Sequence, residues 1–156
     1  MQAIERKGTR DSRVIAWMRL ARVYTLIDRE TVRLLRRFDL SVAQFDVIAQ
    51  VGARESRTQQ ELADALLVTK GNITQLLARL EARGLIERRA EAGRRGKRIF
   101  LTDAGWALNR EAVPAQEALI ASLVGRLPAE DQDELNQILR RFQQLLATAS
   151  HEEQAS

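Results

Sequence analysis

Residues 58 to 102 constrain the fold more than any other part of this chain, because they order two short amphipathic helices, a strand, a basic turn and a second strand in one short stretch. The stretch opens with Thr58-Gln59-Gln60-Glu61, a capping box in which hydroxyl and carboxylate satisfy each other's free helix-end amides. The spacing of Leu62, Ala63 and Leu66 predicts a helix from Thr58, and a second start signal at Thr69 leaves only a short turn between two helices. A short turn between two helices is the geometry of a helix-turn-helix. In the second helix Ile73, Leu76, Leu77 and Leu80 repeat at helical spacing and form one apolar stripe. Its other positions carry Thr69, Lys70, Asn72, Thr74, Gln75 and Arg79, and Gly84 with Leu85 predicts a left-handed cap at its end.

A hairpin follows: Leu85-Ile86-Glu87-Arg88-Arg89, a glycine-bounded turn from Glu91 to Gly96, and Lys97-Arg98-Ile99-Phe100-Leu101. Residues 79 to 98 hold eight cations (Arg79, Arg83, Arg88, Arg89, Arg94, Arg95, Lys97, Arg98) against three anions (Glu81, Glu87, Glu91). A charge run of this kind is often only a solvated face. Placed after a helix with a polar N-terminal half, it predicts instead that the helix enters a DNA major groove while the hairpin tip reaches the minor groove. Hydrogen-bonding side chains near a helix N-terminus also suit phosphate and base edges. The expected DNA contacts are Thr69, Lys70, Asn72, Thr74, Gln75 and Arg79 on the helix, and Arg94, Arg95 and Lys97 on the hairpin.

The segments Ser41-Val42-Ala43-Gln44-Phe45-Asp46-Val47-Ile48, Gln60-Glu61-Leu62-Ala63, Asn72-Ile73-Thr74, Arg79 to Arg88 and Leu101-Thr102-Asp103-Ala104-Gly105 resemble the multiple antibiotic resistance regulator (MarR) family. The resemblance covers roughly residues 12 to 148, and its most specific part is the Arg79–Arg88 segment joined through the wing to Leu101–Gly105. It implies a mainly α fold with a small β-hairpin wing: a winged helix-turn-helix over about 41–102, flanked by dimerisation helices over about 12–38 and 103–148, in one domain spanning 1–156. It further implies a homodimeric transcriptional regulator, usually a repressor, often released from DNA by a small ligand or an oxidant. Ligands in the family often lie between the dimerisation helices and the winged lobe, which makes Trp17, Tyr24, Phe45 and Trp106 the candidate ligand-binding residues, with an aromatic or amphipathic effector. The chain departs from the family at the wing. The family commonly has Asp-x-Arg before the second strand, and here Gly93 stands at the acidic position while Arg95 is retained.

Composition bounds the remaining classes. A chain of 156 residues suits one domain with a real core. Net charge is +5 in residues 1–57, +4 in 58–102 and −5 in 103–156, so electrostatics directs the first two regions toward a polyanion and leaves the last for another task. Absence of cysteine removes thiol redox sensing, disulfides and thiolate metal sites. The only histidine, His151, sits in a polar tail, so neither a metal site nor a histidine-based nucleophile is expected: the chain reads as no enzyme, without cofactor. No apolar run approaches the roughly 20 residues of a membrane span, and Met1 to Arg10 is too polar for a signal peptide, which predicts a cytoplasmic protein.

The flanks read as helices. Val14, Trp17, Met18, Ala21, Tyr24, Ile27, Leu34, Leu35 and Phe38 predict a long first helix from Ser12 to about Phe38. Leu40 and Phe45 bracket a Ser41/Gln44 capping box that starts the next helix. Thr102 begins a helix containing Pro114, an expected kink, and Pro128 precedes the last helix, with Leu135, Ile138, Leu139, Phe142, Leu145 and Leu146. Such apolar terminal helices either cover the monomer's own core or meet in a two-fold dimer reading a pseudo-palindrome. Two other classes stay open: a sequence-tolerant architectural DNA binder without effector, and a winged-helix module whose basic hairpin binds an acidic protein.

Overall fold

The computed structural model describes residues 11–93 and 95–154, with side chains through residue 148. The predicted wing contact Arg94, and the side chain of His151, lie outside the described residues. Local signals set the helix starts. Asp11 accepts the Arg13 N–H at 2.8 Å and caps α1 (Ser12–Leu35). The expected helix to Phe38 tightens over its last turn into a 3-10 segment, Arg36–Phe38, which ends at Asp39 with φ 52. Leu40 N–H donating to Leu35 O at 3.1 Å closes that end. In α2 (Val42–Ala53) both halves of the Ser41–Gln44 capping box form, at 3.0 and 3.2 Å. In α3 (Gln59–Leu66) the Thr58 N–H donates to Glu61 at 2.6 Å and the Glu61 N–H to Thr58 Oγ1 at 3.1 Å.

After a two-residue turn, Thr69 caps α4 (Lys70–Ala82) by accepting the Asn72 N–H at 3.3 Å. Gly84, with φ +68, ends it in a Schellman motif: Gly84 N–H donates to Glu81 O at 2.9 Å and Leu85 N–H to Leu80 O at 3.0 Å. Because Leu85 is consumed by that cap, β1 (Ile86–Ala90) starts one residue later than the sequence pattern suggests. It pairs antiparallel with β2 (Lys97–Leu101), Ile86 opposite Leu101 and Ala90 opposite Lys97. A single bridge between Arg57 and Ile99 attaches the segment before α3 to the hairpin, with Ile99 N–H donating to Arg57 O at 2.9 Å. Thr102 then leads into α5 (Asp103–Val124), which is continuous through Pro114, and Pro128 precedes α6 (Ala129–Gln154).

The described residues form two compact units, one up to Gln116 and one from Glu117. The first is built on one apolar core. Leu62 from α3, Ile73, Leu77 and Leu80 from α4, Ile86 and Ile99 from the hairpin, and Val47, Ile48 and Val51 from α2 are all essentially excluded from water. Burying such side chains at roughly 1.5–3 kcal/mol each is what holds α4 and the wing to one frame. β2 lacks in/out alternation, since Ile99, Phe100 and Leu101 are all buried. The outward ring of Phe100 is covered by the Arg89 guanidinium, 3.8 Å from its centroid. In the second unit α6 keeps its apolar positions open, with Phe142 45% and Leu145 69% exposed.

Within the first unit Asp46 on α2 is half-buried, and burial first and the Asp28 carboxylate second push its carboxyl above the usual range. A raised folded-state value means the stabilising contribution of the protonated form is present below the unfolded value and lost as pH rises through the folded one. Asp46→Asn is therefore expected to raise the thermal midpoint at pH 7 by about 1–3 °C and to change it little at about pH 3. Circular dichroism melts at the two pH values check this, and an equal gain at both would contradict it.

Candidate nucleic-acid interface

At 100° per residue, the face of α4 opposite the Ile73, Leu77 and Leu80 stripe is centred on Gly71, Gln75 and Ala78. Asn72 and Arg79 flank it on one side, Lys70 and Thr74 on the other, and all seven residues are exposed. The predicted contacts are not equivalent. Thr69 Oγ1 is engaged by the Asn72 N–H in the cap. The Thr74 hydroxyl donates to Lys70 O at 2.7 Å and accepts from Gln59 Nε2 at 2.6 Å, so it ties α3 to α4. The side chains of Lys70, Asn72, Gln75 and Arg79 make no hydrogen bond or ion pair among the described residues.

The eight cations of residues 79–98 divide in the same way. Arg83 donates to Asp39 O at 2.7 Å and lies 3.3 Å from the Asp39 carboxylate, which fixes the end of α4 to the turn after α1. Arg88 Nε lies 3.3 Å from Glu81 Oε2, near enough for attraction although its N–H is not aligned for a hydrogen bond. Arg89 covers Phe100 and pairs with Glu87 at 3.1 Å. Arg98, with a side chain only 15% exposed, donates from Nη1 to Ser56 O at 3.1 Å and to Glu61 Oε2 at 3.3 Å. Arg79, Arg95 and Lys97 are exposed and without an ion pair among the described residues. The sequence singles out Arg79, Arg94, Arg95 and Lys97 as DNA contacts; of the described cations in this run, Arg83, Arg88, Arg89 and Arg98 are paired within the fold and Arg79, Arg95 and Lys97 are not.

Wing position is likewise set by contacts that sequence spacing does not reveal. Gly93, at the position where the family commonly has an aspartate, adopts φ +76, in the left-handed region that glycine takes without a Cβ penalty. The base of the wing is held by the Arg98–Glu61 pair, by the Ser56 hydroxyl donating to Glu91, and by the Arg57–Ile99 bridge. Glu61 thus serves twice, as cap of α3 and as wing anchor. Its carboxyl is held below the usual range first by the Thr58 N–H, then by the Thr58 hydroxyl, with weaker attraction from Arg98 and Arg54.

The candidate ligand residues lie in unlike environments. Phe45 belongs to the core at 6% exposure and Trp106 packs against that core, whereas Trp17 and Tyr24 on α1 are 62% and 66% exposed. Among the described residues, the first unit has open clefts. One is lined by Val32, Arg36, Asp39, Leu40, Val42 and Arg83 among others, another by Ile15, Met18, Arg19, Arg22 and Val23 of α1; neither is lined by the four aromatics. Among the described residues no group of three or more His, Cys, Asp or Glu side chains is placed to hold a metal ion, and no helix is long and apolar enough to cross a membrane.

Helices α2 to α4 with the hairpin make a winged helix-turn-helix. A profile described as the MarR family matches residues 38–96. An uncharacterised HTH-type transcriptional regulator of Bacillus cereus is 36% identical over 121 residues, covering 78% of this chain and 81% of that protein. In structure the chain is similar to the Staphylococcus aureus regulator MepR solved as a complex with DNA, with a TM-score of 0.73 at 24% identity over 81% of this chain and 93% of that one. It is similar also to a Mycobacterium tuberculosis MarR family protein solved with salicylic acid, with a TM-score of 0.64 at 26% identity over 79% and 92% of the two chains. The protein belongs to the MarR family, whose members are transcriptional regulators rather than enzymes.

Proposed function

We propose that the protein binds double-stranded DNA as a homodimer and represses transcription from a pseudo-palindromic operator, with release by a small aromatic or amphipathic ligand. The observation that carries the reading is the sorting of polar side chains on the winged unit. Among the described residues of α4 and the hairpin, once those committed to the fold are set aside, the ones left are Lys70, Asn72, Gln75 and Arg79 on α4, and Arg95 and Lys97 on the wing. Asn72 and Gln75 suit adenine, which each can bind through two hydrogen bonds, and Lys70 and Arg79 suit guanine or phosphate. Arg95 and Lys97 supply the salt-dependent, sequence-independent term. The DNA complex of MepR and the salicylate complex of the mycobacterial relative lend this reading its two partners. The apolar faces of α1 and α6 supply surface for a two-fold interface.

Selection of bound duplexes from a random pool tests the proposal. A symmetric motif with half-sites about one helical turn apart is expected. Equal affinity for all duplexes would favour an architectural binder, and binding to none would favour a protein-interaction module. On the selected operator, Arg95→Ala is expected to weaken cognate and scrambled duplexes alike by roughly three- to tenfold and to reduce the salt slope by about one. Fluorescence anisotropy across a salt series measures both, and unchanged affinity would remove the wing from the interface. Quenching of Trp17 or Trp106 emission by a panel of phenolic acids tests the effector, against which a flat response would count.

A further inference from the structure

Two positions around the start of α4 are filled by residues that local preference disfavours, and the choice of side chain at each gains nothing inside the fold. Leu67, in the turn between α3 and α4, is 94% exposed and adopts φ 52, ψ 40. That backbone closes α3, with Leu67 N–H donating to Asp64 O at 3.3 Å and Val68 N–H to Ala63 O at 3.0 Å, but it strains any residue with a branched side chain, and at this exposure the Leu67 side chain gains no buried contact to offset the strain. Its neighbours Leu66 and Val68 pack against the core, so the turn already has its apolar anchors. Gly71 lies in the first turn of α4, outside the left-handed region, with nothing within 4 Å of where a Cβ would stand. A helical glycine that clears no neighbour and takes no special backbone is a loss against alanine. Departures from local preference without internal compensation mark positions shaped by function.

Building on the DNA-binding reading, we infer that Leu67 is a specificity residue, its side chain packing on the 5-methyl group of a thymine at the edge of the major-groove footprint. Gly71, on the centre of the outward face of α4, lets the first helical turn approach the duplex with no side chain between. The chemistry selects the occupant. Leucine has no donor or acceptor for a phosphate, and the apolar feature displayed in the major groove is the thymine methyl. A protein partner would need a contiguous apolar patch. Of the exposed residues next to Leu67 in sequence, Asp64, Thr69 and Lys70 are polar and the apolar one, Ala65, carries a single methyl.

The test uses the full chain, the selected operator, and copies in which single thymines are replaced by deoxyuridine, which lacks only the methyl. Leu67→Gly and Leu67→Asn both accept left-handed backbone. Each is expected to leave the thermal midpoint unchanged or raised while lowering operator affinity about tenfold, the loss of one well-packed apolar contact. At one thymine per half-site, deoxyuridine is expected to cost the wild type a similar factor and the variants nothing. Variants that bind as tightly as wild type, or that pay the full deoxyuridine penalty at every position, overturn the leucine contact alone. A wild type that selects no duplex overturns the DNA-binding reading itself, and this inference with it.

Discussion

Gly105→Ala is expected to destabilise the winged unit by about 2–4 kcal/mol, from overpacking against backbone together with weakened junction hydrogen bonds. Gly105 is buried at the third position of α5, and a Cβ there would stand 2.0 Å from Leu85 O and 3.3 Å from Leu101 Cβ. The obstacle is a main-chain carbonyl, which cannot swing aside as a long side chain would. That carbonyl also accepts the Thr102 N–H at 3.2 Å, while the Thr102 hydroxyl donates to Gly84 O at 2.6 Å and accepts the Gly105 N–H at 3.0 Å. Thr102 and Gly105 thereby lock the start of α5 onto the junction between α4 and β1, the joint from which both α4 and the wing project. Urea unfolding at fixed protein concentration should show the loss, with a thermal midpoint lower by roughly 5–12 °C. Gly71→Ala is the internal control: its added methyl meets nothing, so stability should hold or rise by up to about 1 kcal/mol. A Gly105→Ala variant within about 0.5 kcal/mol of wild type would show that the α5 start can move away, and the joint would lose its assigned importance.

How much of this was readable in the sequence follows the range of each interaction. Caps at Ser41, Thr58 and Thr69 involve partners three residues away, and each forms where the residue types predict it. The hairpin was equally plain, apart from Leu85, which two adjacent elements claim and the Schellman motif wins. Arginine roles were only partly readable. Arg98 finds Ser56 and Glu61 at separations of 42 and 37 residues, and Thr74 finds Gln59 across the helix-turn-helix, pairings that no local pattern encodes. A capping glutamate gave no hint of its second duty toward the wing. Among the candidate ligand aromatics, Phe45 looked like both staple and pocket residue, and at 6% exposure it is part of the core.

Ile138→Glu combined with Phe142→Glu is expected to yield a monomer at micromolar concentration and to reduce operator affinity at least roughly 100-fold, because two half-sites no longer share one effective concentration. On α6 the residues Leu135, Ile138, Leu139, Phe142, Leu145 and Leu146 follow helical i, i+3, i+4, i+7 spacing, and every one of them is between 37% and 69% exposed in the single chain. An amphipathic helix with its apolar stripe open to water forgoes about 25 cal/mol for each Å² it leaves uncovered, which the proposed dimer would recover. Carboxylates one turn apart in that stripe would be desolvated without partners in a dimer and remain hydrated in a monomer, so the equilibrium shifts through the associated state. The two positions are absent from the core that holds α4 and the wing, so the winged unit should keep its fold and its weak, salt-sensitive affinity for single half-sites. Sedimentation equilibrium alongside anisotropy on full and half operators separates the effects. A variant that remains dimeric with unaltered affinity would remove α6 from the interface and shift the burden of dimerisation to the exposed face of α1.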